Sequence, residues 1–233
     1  MDYKKRLDKA KANQDLYRDL LEEAYDFIIP SRNNFSSRTE GDEENFHIYD
    51  ETAPSAIPKF ANRMQRSLFP ESEEWVQFKA GSEVPEDDKE NSDKGLEEYT
   101  KVFFSYFNRS NFHREINPAF IDCGISTGVI QIEEELPTSD NLYYFTNIPL
   151  NEIAFERPVK GELVNMWRTF KIVANKIKET WPNAKIPDQL AKIIKQDPHC
   201  DVEINLGQIK EKNIYKIVLL WDKDTLLEEE FNY

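Results

Sequence analysis

Leu7, Ala10, Tyr17, Leu21, Ala24, Tyr25 and Ile28, with the polar Gln14 among them, recur at spacings of three and four along the start of the chain. That is the period of one helix face, and Pro30 closes the segment, so residues 1–30 are predicted to form one long N-terminal helix. The period then disappears. The polar run SRNNFSSRTEGDEEN, residues 31–45, opens a segment, 31–49, predicted to be a mobile loop and the first site of proteolysis. From 50 to 127 the helical spacing returns. Ser55 as N-cap puts Pro58 in a first turn, and Ile57, Phe60, Ala61, Met64 and Leu68 share the face that follows. After Pro70 the segment WVQFK alternates as a strand does, and AGSEVPEDDKENSD reads as an acidic loop. Leu96, Tyr99, Val102, Phe103, Tyr106 and Phe107 define the most aromatic helical face of the chain. A last helix carries Ile116, Ala119, Phe120 and Cys123, is kinked or begun at Pro118, and stops near Gly124.

The texture changes across residues 128–233. VIQIEEE, LYYFTNI, NEIAFE, LVNMWRTF, DVEINL, NIYKIVLLW and TLLEEEF are short β-branched or aromatic runs, separated by turns such as Lys160-Gly161 and Asp222-Lys223-Asp224. They predict an antiparallel sheet, interrupted by two short helices at 172–181 and 188–196. Helices first and strands second is the order of an α+β fold, not of an alternating parallel sheet. The final TLLEEEFNY reads as a strand that has just begun to pair, so the chain is expected to be a fragment, incomplete at its C-terminus.

With 233 residues the chain can build a sizeable core without staples. Its 15 Phe, 10 Tyr and 4 Trp argue for a folded protein. A formal net charge of −14 repels a phosphate backbone, which argues against tight nucleic-acid binding and permits a surface past which DNA slides. No apolar run is long enough for a membrane span, and the charged N-terminus has no signal-peptide core. Cys123 and Cys200 give no disulfide framework and suit a cytosolic chain. The sequons at Asn34 and Asn108 are then coincidental.

The one catalytic pattern is GISTG, Gly124 to Gly128, which matches a nucleophile elbow with Ser126 as nucleophile and His199 as base of a serine hydrolase. An elbow needs a strand before the serine and a helix after it; here the order reads reversed. The competing account is a helix C-cap glycine and a tight turn into a strand. His199, Cys200 and Asp201, with Asp197, are the one cluster rich in metal-ligand types, but adjacent residues point apart and no second pair stands at zinc spacing. His47 and His113 are isolated. The acidic runs Glu133 to Glu135 and Glu228 to Glu230 specify no ion, and Trp75, Trp167, Trp181 and Trp221 are read as packing residues. There is no phosphate-binding glycine loop. Catalytic, cofactor-binding and metal residues are therefore expected to be none, and the chain is expected not to be an enzyme. A third reading is an adaptor whose aromatic face, Leu96 to Phe107, binds a protein partner.

YDFIIPSRNNF, then HIYDETAPSAIPKFANRMQRSLFPESEEWVQF, DCGISTGVIQIEEE and NIPLNEIAFE together resemble the head-to-tail connector, or portal, proteins of short-tailed, T7-like bacteriophages. The likeness covers about residues 20–175 and rests on the order of its blocks: Tyr25 to Pro30, Asp50 with Ala56 to Leu68, Pro70 to Trp75, Gly124 and Gly128 with Glu133, and Pro149-Leu150 with Glu152. The resemblance implies a virion protein assembled in the host cytoplasm. It implies a twelve-subunit ring of this chain at one capsid vertex, contacting the capsid shell, the terminase motor and tail proteins. Double-stranded DNA would pass through without sequence-specific binding, with no membrane and no cofactor. These residues would be mostly the wing of the subunit, and the channel helices and clip would follow later in the chain.

Overall fold

The computed structural model describes residues 2–32, 35, 50–71, 73–134, 141–157, 165–211 and 214–232. Most of the segment 31–49, predicted as a mobile loop, and the Lys160-Gly161 turn lie outside the described residues. Four helices come first: α1 (Tyr3–Ile28), α2 (Thr52–Leu68), α3 (Glu86–Arg109) and α4 (Phe112–Ile125). Strands β1 (Val129–Glu134), β2 (Tyr143–Ile148), β3 (Ile153–Phe155) and β4 (Met166–Val173) follow. Helices α5 (Lys176–Thr180) and α6 (Asp188–Gln196) precede β5 (Asp201–Glu211), β6 (Ile214–Trp221) and β7 (Asp224–Asn232). The fold is α+β, helices before antiparallel strands.

The strands form two sheets, not the single sheet the sequence suggests: a β1-β2 hairpin, and a five-stranded sheet in the order β3-β4-β5-β6-β7. The chain packs as two compact units, divided at Glu22/Glu23 and at Leu150/Asn151. The hairpin falls in the second unit, with α2, α3 and α4.

In the first unit the five-stranded sheet is covered on both faces. On one side Ile177, Ala184 and Leu190, from around α5 and α6, pack on Val202, Ile204, Leu206, Leu219 and Leu227. On the other, Tyr3, Leu7 and Ala10 of α1 pack on Ala154, Trp167, Ile209, Val218 and Leu220. Successive strand residues point to opposite faces. Between two helical layers, β5 therefore loses its apolar-polar alternation and is buried continuously from Ile204 to Gly207. Helix α1 runs about 39 Å at 1.5 Å per residue, yet its contribution to this core ends at Ala10. Tyr17, assigned to its buried face by spacing, is accordingly 62% exposed. The turn after β6 puts Asp222 at φ 51°, a conformation that aspartate tolerates better than most residues. The helix expected at 172–181 begins at Lys176, because β4 continues to Val173 along β5.

The second unit is built on aromatic rings. Phe107, Phe112, Ile116, Phe120 and Phe145 are buried with Ala61 of α2. Trp75 meets Phe69, Phe104 and Phe107 edge-on at centroid separations of 4.8, 5.3 and 5.2 Å, within the favoured range for offset aromatic pairs. The WVQFK segment forms no strand. Its Phe78 N–H donates to Thr100 Oγ1, and the Ala80 N–H just after it to Asp93 Oδ1, so side chains of α3 satisfy backbone groups that a neighbouring strand would otherwise take.

Two helix boundaries also differ from the sequence reading. Helix α2 starts at Thr52, whose N–H and hydroxyl both donate to Asp50 Oδ1, and this leaves Pro54 in the first turn and Pro58 inside. Helix α3 absorbs most of the supposed acidic loop, with Glu86, Asp87 and Asp88 at its positive N-terminal end. Its buried side is Thr100, Phe104 and Phe107, while Tyr99 and Val102 are exposed. Helix α4 starts at Phe112 and carries Pro118 internally. Preceding it, the Asn111 amide donates to the Phe145 carbonyl and accepts from the Phe145 N–H, acting as one extra pairing residue beside β2.

Candidate functional site

Ser126 is the residue after α4; its N–H donates to the Asp122 carbonyl at 2.8 Å, and β1 begins three residues later. Helix, serine, strand is the reverse of a nucleophile elbow. Ser126 is exposed in the second unit and His199 in the first. Neither side chain has a hydrogen-bond partner among the described residues, so nothing activates the hydroxyl or orients the imidazole.

The two glycines of GISTG do not serve as left-handed turn residues. A Cβ on Gly124 would lie 2.2 Å from Ile57 Cδ1, and one on Gly128 would lie 2.2 Å from the Ala119 carbonyl oxygen. They are small because α2 and α4 approach them closely. Among the described residues, no group of three or more His, Cys, Asp or Glu is arranged to hold a metal. His113 packs edge-on to Phe107 and Phe112, while His47 and Glu135 lie outside the described residues. A shallow groove of about 500 Å³ beside β7 is lined by Asn183, Lys185 and residues 225–229. No helix among the described residues is long and apolar enough to cross a membrane.

The concentrated polar chemistry serves cohesion. In the first unit, the Arg6 guanidinium makes a two-point pair with Glu156, both contacts at 2.8 Å, and a third bond to Glu211 at 2.8 Å. Glu156 also accepts from Trp167 Nε1 at 3.0 Å and Asn165 Nδ2 at 3.0 Å. Burial pushes the Glu156 carboxyl up, but hydrogen bonds from Arg6, Trp167 and Asn165 outweigh it and hold the group below the usual carboxylate range. On the same side of the sheet Tyr3 Oη donates to Glu228 at 2.7 Å, and Lys216 pairs with Glu228 at 3.1 Å and Glu230 at 2.7 Å. Hydrogen bonds to Glu230 and Glu228 raise the Lys216 ammonium, and the Tyr3 and Lys216 donors lower Glu228. These contacts pin the first turns of α1 to the sheet. The acidic run 228–230 is thus partly spent on one lysine, which the sequence run alone does not reveal.

In the second unit Asp122 is buried at the centre of a smaller cluster. Tyr25 Oη donates to its Oδ1 at 2.9 Å, Arg32 Nη2 to its Oδ2 at 2.8 Å, and Asn147 Nδ2 to the same oxygen at 3.4 Å. Burial, then the Asp122 charge, raises the Tyr25 phenol well above its ordinary value. Sequence reading missed Asp122. The available signal was its position three residues after Ala119 on the buried face of α4.

Most of the large apolar side chains left exposed are on helices, among them Leu16, Tyr17 and Leu20 on α1, Phe60 on α2, and Tyr99 and Val102 on α3. Contiguous exposed apolar patches are a feature of interaction surfaces and ligand grooves. No curated protein matches the chain. A family model described as bacteriophage head to tail connecting protein matches residues 1–213.

Proposed function

Because the chain belongs to the family of bacteriophage head to tail connecting proteins, we propose that it acts as a portal subunit of the short-tailed, T7-like kind, one of a ring of twelve at a single capsid vertex. The ring docks the terminase motor during packaging, passes double-stranded DNA in both directions, and holds the tail. These residues contribute to its wing. The observation that carries the reading is the family match over residues 1–213. The ordered sequence blocks add to it: Tyr25 and Arg32 of the first block meet Asp122 of the GISTG block in one cluster. Charge fits the role. A net charge of −14 per subunit, repeated around a ring, produces a field that keeps passing DNA loose. The virion role is architectural and uses no cofactor.

Native mass spectrometry and negative-stain electron microscopy of the purified chain test this directly. Closed rings of a single high copy number, with no retention of DNA at moderate salt, are the expected outcome. A folded chain that stays monomeric at every concentration and salt tried would overturn it.

A further inference from the structure

Two exposed helix faces of opposite character stand out on this chain. On α1, Ala12, Leu16 and Leu20 stand in one i, i+4, i+8 row, and Tyr17 lies beside it, three residues before Leu20. Leu16, Tyr17 and Leu20 are 69%, 62% and 64% exposed. Every residue from Asp15 to Leu20 is exposed, so no described residue covers this turn and a half of helix. Asp15 and Asp19 border the apolar row on the side away from Tyr17.

Helix α2 is the opposite. In a chain with net charge −14 it carries Lys59, Arg63 and Arg66 and no acidic residue. At i, i+4 and i+7 these three cations form one row, on the side of the helix turned away from the buried Ile57 and Ala61. Phe60, 40% exposed, flanks the row. None of Asp15, Asp19, Lys59, Arg63 and Arg66 has an ion-pair or hydrogen-bond partner among the described residues.

We infer that the α1 stripe of one subunit docks on the basic α2 face of a second copy of this chain. Leu16, Tyr17 and Leu20 close over Phe60, and Asp15 and Asp19 face the Lys59, Arg63 and Arg66 row. Complementary charge selects this pairing over α1 on α1, which brings like charges together. The two faces are different surfaces, so the contact is heterologous, the type that propagates around a ring. The inference rests on the ring reading above and names the surfaces that build it.

The test uses the whole chain in three forms: wild type, an Asp15→Lys/Asp19→Lys variant, and an Arg63→Glu/Arg66→Glu variant. Circular dichroism and thermal midpoints check that the substitutions leave the fold intact. Sedimentation and native mass spectrometry then follow assembly. Each variant alone is expected to need about tenfold more protein for half-assembly, because attraction becomes repulsion across a partly desolvated contact. An equimolar mixture is expected to recover assembly, since each variant's altered face then meets the other's complementary one. Leu16→Ser/Leu20→Ser should weaken assembly with no rescue by mixing.

Variants that assemble like wild type, or impaired variants that the mixture fails to rescue, overturn this interface and leave the ring reading standing. A wild-type chain that never assembles overturns both.

Discussion

Gly207 lies directly across the β4-β5 ladder from Trp167, and a Cβ on it would come within 2.5 Å of the indole carbon Cζ3. Trp167 is fully buried, with its Nε1 bound to Glu156. The ring covers the glycine and takes the space of a side chain. Gly207→Ala must therefore displace an indole that is packed on one edge and hydrogen-bonded on the other. We expect a loss of about 1–3 kcal/mol, the usual size of core overpacking, with Gly207→Val worse, measured by chemical denaturation of the full chain. Unchanged stability would mean that the indole has room to move.

Glycines elsewhere in the chain differ in sign and size. Gly95 sits inside α3, exposed, with nothing within 4 Å of the point a Cβ would occupy. Gly95→Ala should stabilise by about 0.5–1 kcal/mol through helix propensity. Gly128→Ala meets backbone, the Ala119 carbonyl oxygen at 2.2 Å, which no rotamer change relieves. It should destabilise clearly more than Gly124→Ala, whose first obstacle is the tip of the Ile57 side chain at 2.2 Å. Thermal midpoints of the three variants give the ranking.

The α1 anchor makes the first unit sensitive to pH from both sides. Glu156 and Glu228 are held below the usual carboxylate range, so the stability they contribute is present above the unfolded value of 4.5 and is lost as pH falls through the folded one. Burial, reinforced by the hydrogen bond to Glu228, pushes the Tyr3 phenol from 10.0 up to about 12. Its contribution is complete below pH 10.0 and disappears as pH rises toward 12. Tyr3→Phe keeps the ring in its pocket and removes the titrating group. Stability measured against pH should then lose Tyr3's share of the alkaline decline, and an unchanged limb would refute that share.

Asp122 of α4 ties down the end of α1 and the turn after it through charge-assisted hydrogen bonds. Tyr25→Phe leaves one carboxylate oxygen without that donor and should cost about 1 kcal/mol. Asp122→Ala strips the partners of both Tyr25 and the half-buried Arg32 and should cost about 2–4 kcal/mol. A double-mutant cycle on urea midpoints should show coupling well above zero; strict additivity would mean the 2.9 Å contact between Tyr25 and Asp122 is energetically idle.

The strands from Val129 onward were legible residue by residue because alternation and β-branching are local properties. The expected runs VIQIEEE, LYYFTNI, DVEINL and NIYKIVLLW each contain or begin an observed strand. WVQFK shows the limit of that logic. Its pattern is that of a strand, yet Thr100 and Asp93 supply the hydrogen bonds a neighbour strand would have made, and alternation cannot report which partner a backbone finds. Glycine was misread for a related reason. Gly124 and Gly128 suggested a turn, whereas the space they leave is filled by Ile57 and Ala119, residues outside the motif itself.

By itself, then, the sequence determined the α+β class, the sites of most helices and strands, the helix-before-strand order around Ser126, and the order of blocks that resembles the connector family. Those follow from periodicity, turn residues and local order, all carried by neighbours along the chain. Tertiary structure alone decided that the strands divide into two sheets, that Arg6 anchors on Glu156 and Glu211, that Asp122 is a buried hub, and that Leu16, Tyr17 and Leu20 stay exposed. Each of these depends on which distant surface a face meets, and long-range pairing is set by the joint burial of many residues, which no single stretch of sequence encodes.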